Sequence, residues 1–302
     1  MPGRPDKTVV SVSLGSARRD ADEQVELLGR RVRMVRRGVG GDLAAARALV
    51  AELDGQVDAI GIGGTDIYLK VGERRYPIRD AVRIASAARR TPVVCGAGLK
   101  DSLERGAVAA LEPLVGWRGR RVLMVSSVDR FGMAEAIAQH GADVVFGDLI
   151  FGLGLDVPLR TLVALRRLAR VALPVVTRLP FKWFYPTGER QDEAPRPRHE
   201  RHYRWAEVLA GDWHYIRAHA PPDLSGKDVL TNTTTAADVE FLRAAGARRL
   251  VTTTPRLGGR SVGTNLLEAA LVAVEGAPGE LGRARYEELV TAAGIAPTVL
   301  EL

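Results

Sequence analysis

The stretch Arg120 to Asp148, RRVLMVSSVDRFGMAEAIAQHGADVVFGD, decides how the rest of the chain is read. An apolar run, Val122 to Val125, stops at Ser126-Ser127, and a segment with helical spacing follows (Met133, Ala134, Ile137, Ala138). A second apolar run, Val144 to Phe146, ends at Gly147-Asp148. The pattern predicts a strand, a crossover helix and a second, parallel strand. In such units the first strand-to-helix turn aims backbone N–H groups at an anion, often a pyrophosphate. An acid closing the second strand can then hold a ribose hydroxyl. Gly132 and Asp148 stand where the third glycine and that acid belong, whereas Ser127 and Asp129 replace the first two glycines. The blander alternative is that Gly132 lets a helix pack closely on its neighbour and Asp148 caps a turn.

Outward from this unit, 302 residues with 46% apolar content are enough for two domains and a sizeable core. No charge-free run approaches a membrane span, and MPGRPDKTVV carries no apolar signal core ahead of the first strand, so a cytoplasmic protein is expected. The single cysteine, Cys95, excludes an intramolecular disulfide framework. The net charge of +7 comes from arginines spread along the chain, so no nucleic-acid surface is expected.

Toward the N-terminus, Thr8 to Leu14 reads as a strand ending at Gly15-Ser16. A short strand at Val32 to Val35 and a helix at Leu43 to Leu53 follow, the helix capped by Asp42. Val57 to Ile62 opens into Gly63-Gly64-Thr65-Asp66, and Tyr68 to Tyr76 reads as a hairpin before a helix at Ile78 to Arg90. Pro92 to Val94 runs into Cys95-Gly96-Ala97-Gly98-Leu99-Lys100. Alternating strands and helices mean a parallel sheet covered on both faces, whose ligands collect at the carboxyl ends of the strands. Lys100 stands out because only five lysines occur in the chain.

Toward the C-terminus, Pro158 to Leu173 predicts a helix and Val175 to Arg178 a strand. The stretch from Phe181 to Tyr215 then holds half of the aromatics, and Phe181 to Trp205 lacks periodicity, as in a lid or binding loop. Four of the five histidines, His199, His202, His214 and His219, lie near it without a metal-ligand spacing, so no metal is expected. Lys227 to Thr231 breaks into Asn232-Thr233-Thr234-Thr235, and Arg249 to Val251 into Thr252-Thr253-Thr254-Pro255. Such hydroxyls can bind a ribose or a substrate alcohol, or simply cap the helices that follow. Arg256 to Asn265 is a glycine-rich bend before the apolar helix Leu266 to Val274.

The order of these parts resembles the shikimate/quinate dehydrogenase family, and the chain is similar to uncharacterised bacterial quinate 5-dehydrogenase-like proteins. The matching pieces are Arg121 to Asp148, Leu230-Thr231-Asn232-Thr233-Thr234, and the late bend leading to Asn265-Leu266-Leu267-Glu268. The resemblance implies NAD(P)-linked oxidation of a cyclic hydroxy acid, with a lysine and an aspartate of the substrate domain holding and deprotonating the hydroxyl. By position these are Lys100 and Asp66.

The expectation is therefore an α/β protein of two domains. Residues 1–116 form an N-terminal α/β substrate domain, and 117–276 a Rossmann-like parallel-sheet domain binding a nucleotide, with the aromatic insertion 181–205. Residues 277–302 form a helix and tail returning to the first domain. As an oxidoreductase the protein would bind NAD, with NADP left open, through Ser126, Ser127, Gly132, Asp148, Asn232, Thr233, Thr234 and Thr254. Substrate would meet Ser16, Gly64, Thr65, Tyr185 and Arg260. The alternative, favoured by the missing glycines, is a non-redox binding or regulatory protein for a small anion or sugar. A lyase or transferase working through Lys100 is a third reading. The partner in every case is a small molecule, and self-association is left open.

Overall fold

The computed structural model describes residues 5–180, 195–257 and 260–302. The first half contains β1 (Lys7–Ser13), β2 (Ala21–Leu27), β3 (Arg30–Gly38), α1 (Leu43–Leu53) and β4 (Ala59–Gly63). The hairpin β5 (Tyr68–Val71) and β6 (Arg74–Pro77), α2 (Arg79–Ala85) and β7 (Val93–Val94) complete it. Helices α3 (Ala97–Ala110) and α4 (Glu112–Val115) lead to β8 (Arg121–Met124), α5 (Phe131–Gln139), β9 (Asp143–Phe146) and α6 (Leu162–Val176). Then come α7 (Glu200–Trp205), β10 (Val208–Ala210), α8 (Trp213–His219), β11 (Asp228–Thr231), α9 (Ala236–Ala244) and β12 (Arg249–Thr252). The chain closes with the hairpin β13 (Arg256–Leu257) and β14 (Arg260–Ser261), α10 (Thr264–Glu275), α11 (Arg283–Ala292) and β15 (Thr298–Glu301).

The strands form two mainly parallel sheets, ordered β2-β3-β1-β4-β7 and β15-β12-β11-β10-β8-β9, with β2 and β15 as antiparallel edges. Period-two alternation explains why both are covered twice. In β1, Val12 faces Val50 and Ile84 of α1 and α2, while Val9 faces the apolar Leu266 to Ala273 of α10. In β8, Val122 and Met124 meet α5 and α6, and Leu123 meets α7, α8 and α9.

In each sheet the first strand lies between the second and third parallel strands, so the point of reversal falls at β1/β4 and at β8/β10. That is the flavodoxin-like order, not the 3-2-1-4-5-6 order of the dinucleotide fold. The mixed α/β architecture with two parallel sheets is as expected, but the dehydrogenase-type Rossmann topology is not.

Two local readings are also corrected, and one strand had no counterpart in the sequence reading. The helix expected to stop at Leu173 continues as α6 to Val176 through Pro174, whose missing N–H falls in the last turn, so no strand forms at 175–178. The unanticipated strand is β2, where the polar alternation Ala21 to Leu27 pairs along its length with β3. The tail expected on the first domain divides: α11 packs on α3, and β15 pairs with β12 of the second sheet.

The last helix of the core, α10, presses against the first sheet so closely that two neighbours must be glycine. A Cβ on Gly61 would stand 2.6 Å from the Asn265 carbonyl oxygen, and one on Gly96 2.8 Å from the Asn265 nitrogen. Gly96 also has φ +91°, which L side chains avoid.

Candidate functional site

The carboxyl ends of both sheets face one cavity of about 400 Å³, an ordinary size for a small-molecule site. From the first sheet it receives Ser11 and Ser13 of β1, Arg36 of β3 and Gly63 to Asp66 after β4. The second sheet contributes Ser126, Val128 and Asp129 after β8, Asp212 after β10 and Asn232 to Thr235 after β11. On β1 the face that carries Val9 turns polar at its end, where Ser11 Oγ accepts from Asn265 Nδ2 at 2.6 Å. Arg36 donates to Ser13 Oγ at 2.9 Å and to Asp20 at 3.0 Å. Across the cavity, Arg19 and His214 approach to 3.4 Å.

An ionic chain forms one wall. Lys100 and Glu104, four apart on α3, share a helix face. Lys100 Nζ reaches Asp66 Oδ2 at 2.6 Å and Asp129 Oδ1 at 3.1 Å. Arg130, 3% exposed, pairs with Glu104, and its Nη2 lies 3.3 Å from Asp212 Oδ2, which also accepts from Asn232 Nδ2 at 3.0 Å. Ser126 Oγ accepts the Asp212 N–H at 3.0 Å.

Burial lowers the tendency of Lys100 to hold its proton, but the Asp129 and Asp66 carboxylates outweigh it and leave its pKa above that of an ordinary lysine. Of the two carboxylates sharing that ammonium, burial and its like-charged neighbour push Asp66 up. Asp129 is held down, Lys100 and Arg130 outweighing its burial. Burial pushes Glu104 up to about 7 despite Arg130 and Lys100. A lysine whose proton is held this firmly is a poor base.

The expected residues divide sharply. Lys100, Asp66, Gly64, Thr65, Ser126, Asp148, Asn232, Thr233 and Thr234 line the cavity. Ser16 instead caps the turn 17–19 by accepting the Arg18 N–H, and Thr254 donates to the Val262 carbonyl at 2.7 Å. Ser127 is buried against the Met124 carbonyl, and a Cβ on Gly132 would meet Asp101 Oδ1 at 2.7 Å, so that glycine serves the packing of α5 on α3. Tyr185, most of the aromatic insertion and the Arg260 side chain lie outside the described residues. Not anticipated were Glu104, Arg130 and Arg36. The i, i+4 pair Lys100/Glu104 and an arginine just before an apolar helix start were the available signals.

The turn after β8 overturns the nucleotide assignment. Asp148 Oδ1 accepts the Val128 N–H at 2.8 Å. Burial pushes Asp148 up to about 6, opposed by the N–H of Val128 and by the nearby Ser127. The Val128 amide, one of those that would greet a pyrophosphate, is thus taken by the chain's own acid, and Asp129 places a second carboxylate on the cavity wall. An incoming diphosphate would meet carboxylates where a dinucleotide fold offers free amides.

The chain belongs to the family described as Domain of unknown function (DUF8754), whose model matches residues 98–302, and residues 8–95 match Domain of unknown function (DUF8753). No curated protein matches. Among solved structures it is similar to an ABC transporter solute-binding protein from Agrobacterium vitis bound to α-D-tagatopyranose, with 11% identity, 98% of this chain and 95% of that chain covered, and a TM-score of 0.41. It is also similar to a sugar ABC transport substrate-binding protein from Bordetella parapertussis, with 13% identity, 98% and 89% coverage, and a TM-score of 0.41. A periplasmic solute-binding protein from Actinobacillus succinogenes with bound D-allose gives 10%, 98%, 98% and 0.35.

The quinate/shikimate dehydrogenase resemblance, the oxidoreductase assignment and the NAD(P) cofactor are therefore corrected. The matched families are described only as domains of unknown function, and in the β8 turn a carboxylate holds an amide that a pyrophosphate would use. The cytoplasmic assignment is withdrawn with them; one of the solved structures to which the chain is similar is titled periplasmic. No helix among the described residues is long and apolar enough to cross a membrane. Among the same residues no group of His, Cys, Asp and Glu could hold a metal ion.

Proposed function

We propose that the protein binds a small hydroxylated molecule, such as a sugar or polyol, between its two sheets without redox chemistry. The observation that carries this reading is the lining of the cavity at the strand ends of both sheets: Ser11, Ser13, Ser126, Asn232, Thr233 and Thr234. Hydroxyls and amides both donate and accept, as sugar hydroxyls do, and they add no charge. Lys100 and Arg130 are each held by carboxylates of the chain itself, so neither cation calls for an anionic ligand. Lys100 and Asp66 are then fixed polar walls, with Gly64 and Thr65 lying close by.

Isothermal titration calorimetry against a panel of pentoses, hexoses and polyols tests this. Saturable binding of at least one, weakened by Asn232→Ala, is expected. No heat from any member at millimolar concentration refutes it.

A further inference from the structure

The proposed sugar site continues into a second, apolar compartment, and the inference below rests on that reading. Helix α6 turns Leu165, Ala169 and Leu173 into the core at i, i+4 and i+8. The adjoining stripe, Leu168, Ala172 and Val176, repeats the same spacing but is only partly covered and lines the same cavity as the strand ends. Leu69 of β5, Val128 after β8 and Leu153, still 49% exposed, join it there. These side chains are aliphatic and carry no hydrogen-bonding group, so a free sugar would leave its hydroxyls unpaired against them. Covering them would instead reward a hydrocarbon.

We propose that the ligand is amphipathic, with a hydroxylated head at the strand ends and an aliphatic arm along the Leu168–Ala172–Val176 stripe of α6. Titration calorimetry of the full chain with methyl and n-hexyl glycosides of glucose, galactose and arabinose tests this. Burial of each methylene is worth up to about fourfold in affinity. The hexyl form of any head that binds should therefore bind at least about tenfold more tightly than its methyl form.

In an Ala172→Glu variant, which places a carboxylate in the stripe at a partly exposed position, the ratio of hexyl to methyl affinity should fall to about one. Equal affinity of methyl and hexyl forms for the unmodified protein overturns the apolar arm and leaves the sugar reading standing. A hexyl advantage that survives Ala172→Glu overturns the assignment to α6. Failure of all six glycosides while a free sugar or polyol binds overturns the arm alone; failure of the glycosides and of every sugar and polyol overturns both readings.

Discussion

Replacing Arg130 with methionine should expose how much the wall of the cavity depends on one guanidinium. Methionine keeps most of the stem's volume and removes the charge. Arg130 is 3% exposed and pairs with the buried carboxylates of Glu104 and Asp212. Breaking one side of such a pair costs about 3–5 kcal/mol, because the partner is left charged without compensation. That is a large share of the roughly 5–15 kcal/mol that holds a domain folded.

The loss should depend on pH, with a definite sign. Burial raises Glu104 from an ordinary 4.5 to about 7 in the folded state. A raised folded value means that its contribution to stability is full below about 4.5 and is lost as pH rises through about 7. Without Arg130 the charged form is worse still, so the penalty should be largest at pH 8 and clearly smaller at pH 5. Urea unfolding followed by circular dichroism at both values measures it. Adding Glu104→Leu to Arg130→Met should recover much of the loss at pH 8. A loss below about 1 kcal/mol at pH 8, or the same loss at both pH values, would refute the reasoning.

Three other outcomes follow from the same geometry. Asp148→Asn keeps one acceptor for the β8 turn but cannot ionise. The fall in stability that the wild type shows as pH rises from about 3.8 through about 6 should shrink, and unfolding curves of equal slope against pH would count against it. Gly96→Ala should cost about 2–4 kcal/mol, since it forces a left-handed backbone on alanine and a Cβ into the start of α10; an unchanged melting midpoint would show that the two can part freely. NADH and NADPH should give no saturable change in fluorescence with the purified protein, and binding below millimolar concentration would reopen the β8 turn as an anion site.

The alternation of apolar runs and helical spacing made the two parallel sheets legible before any coordinates. Capping by Asp42 even placed α1 on its observed residues. What escaped was set at longer range. Pairing order is not written in any one strand, so β8 looked like the start of a dinucleotide fold although β10 completes its other side. Val175 to Arg178 read as a strand because proline ordinarily ends a helix, yet in α6 the proline falls so late that only the last turn feels it.

The site divided in the same way. Lys100 and Asp66 were singled out at two strand ends, and the fold brings them within 2.6 Å. Asp148 was recognised as an acid closing β9, but its reach back to Val128 depends on how two neighbouring turns lie together. Glu104 and Arg130 each carried a local signal, but that the two pair with each other across 26 residues is written in neither segment.

The placement of α10 has a consequence for dissecting the protein. The chain leaves the first sheet after β7, returns to cover it with α10, and goes back to the second sheet with β15. A fragment ending at residue 95, where the first family match stops, would lack the helix against which Val9, Val32 and Ala59 are buried. Severed after residue 95, the polypeptide should therefore yield a first piece with an uncovered apolar face, recovered in solution only when co-expressed with the remainder.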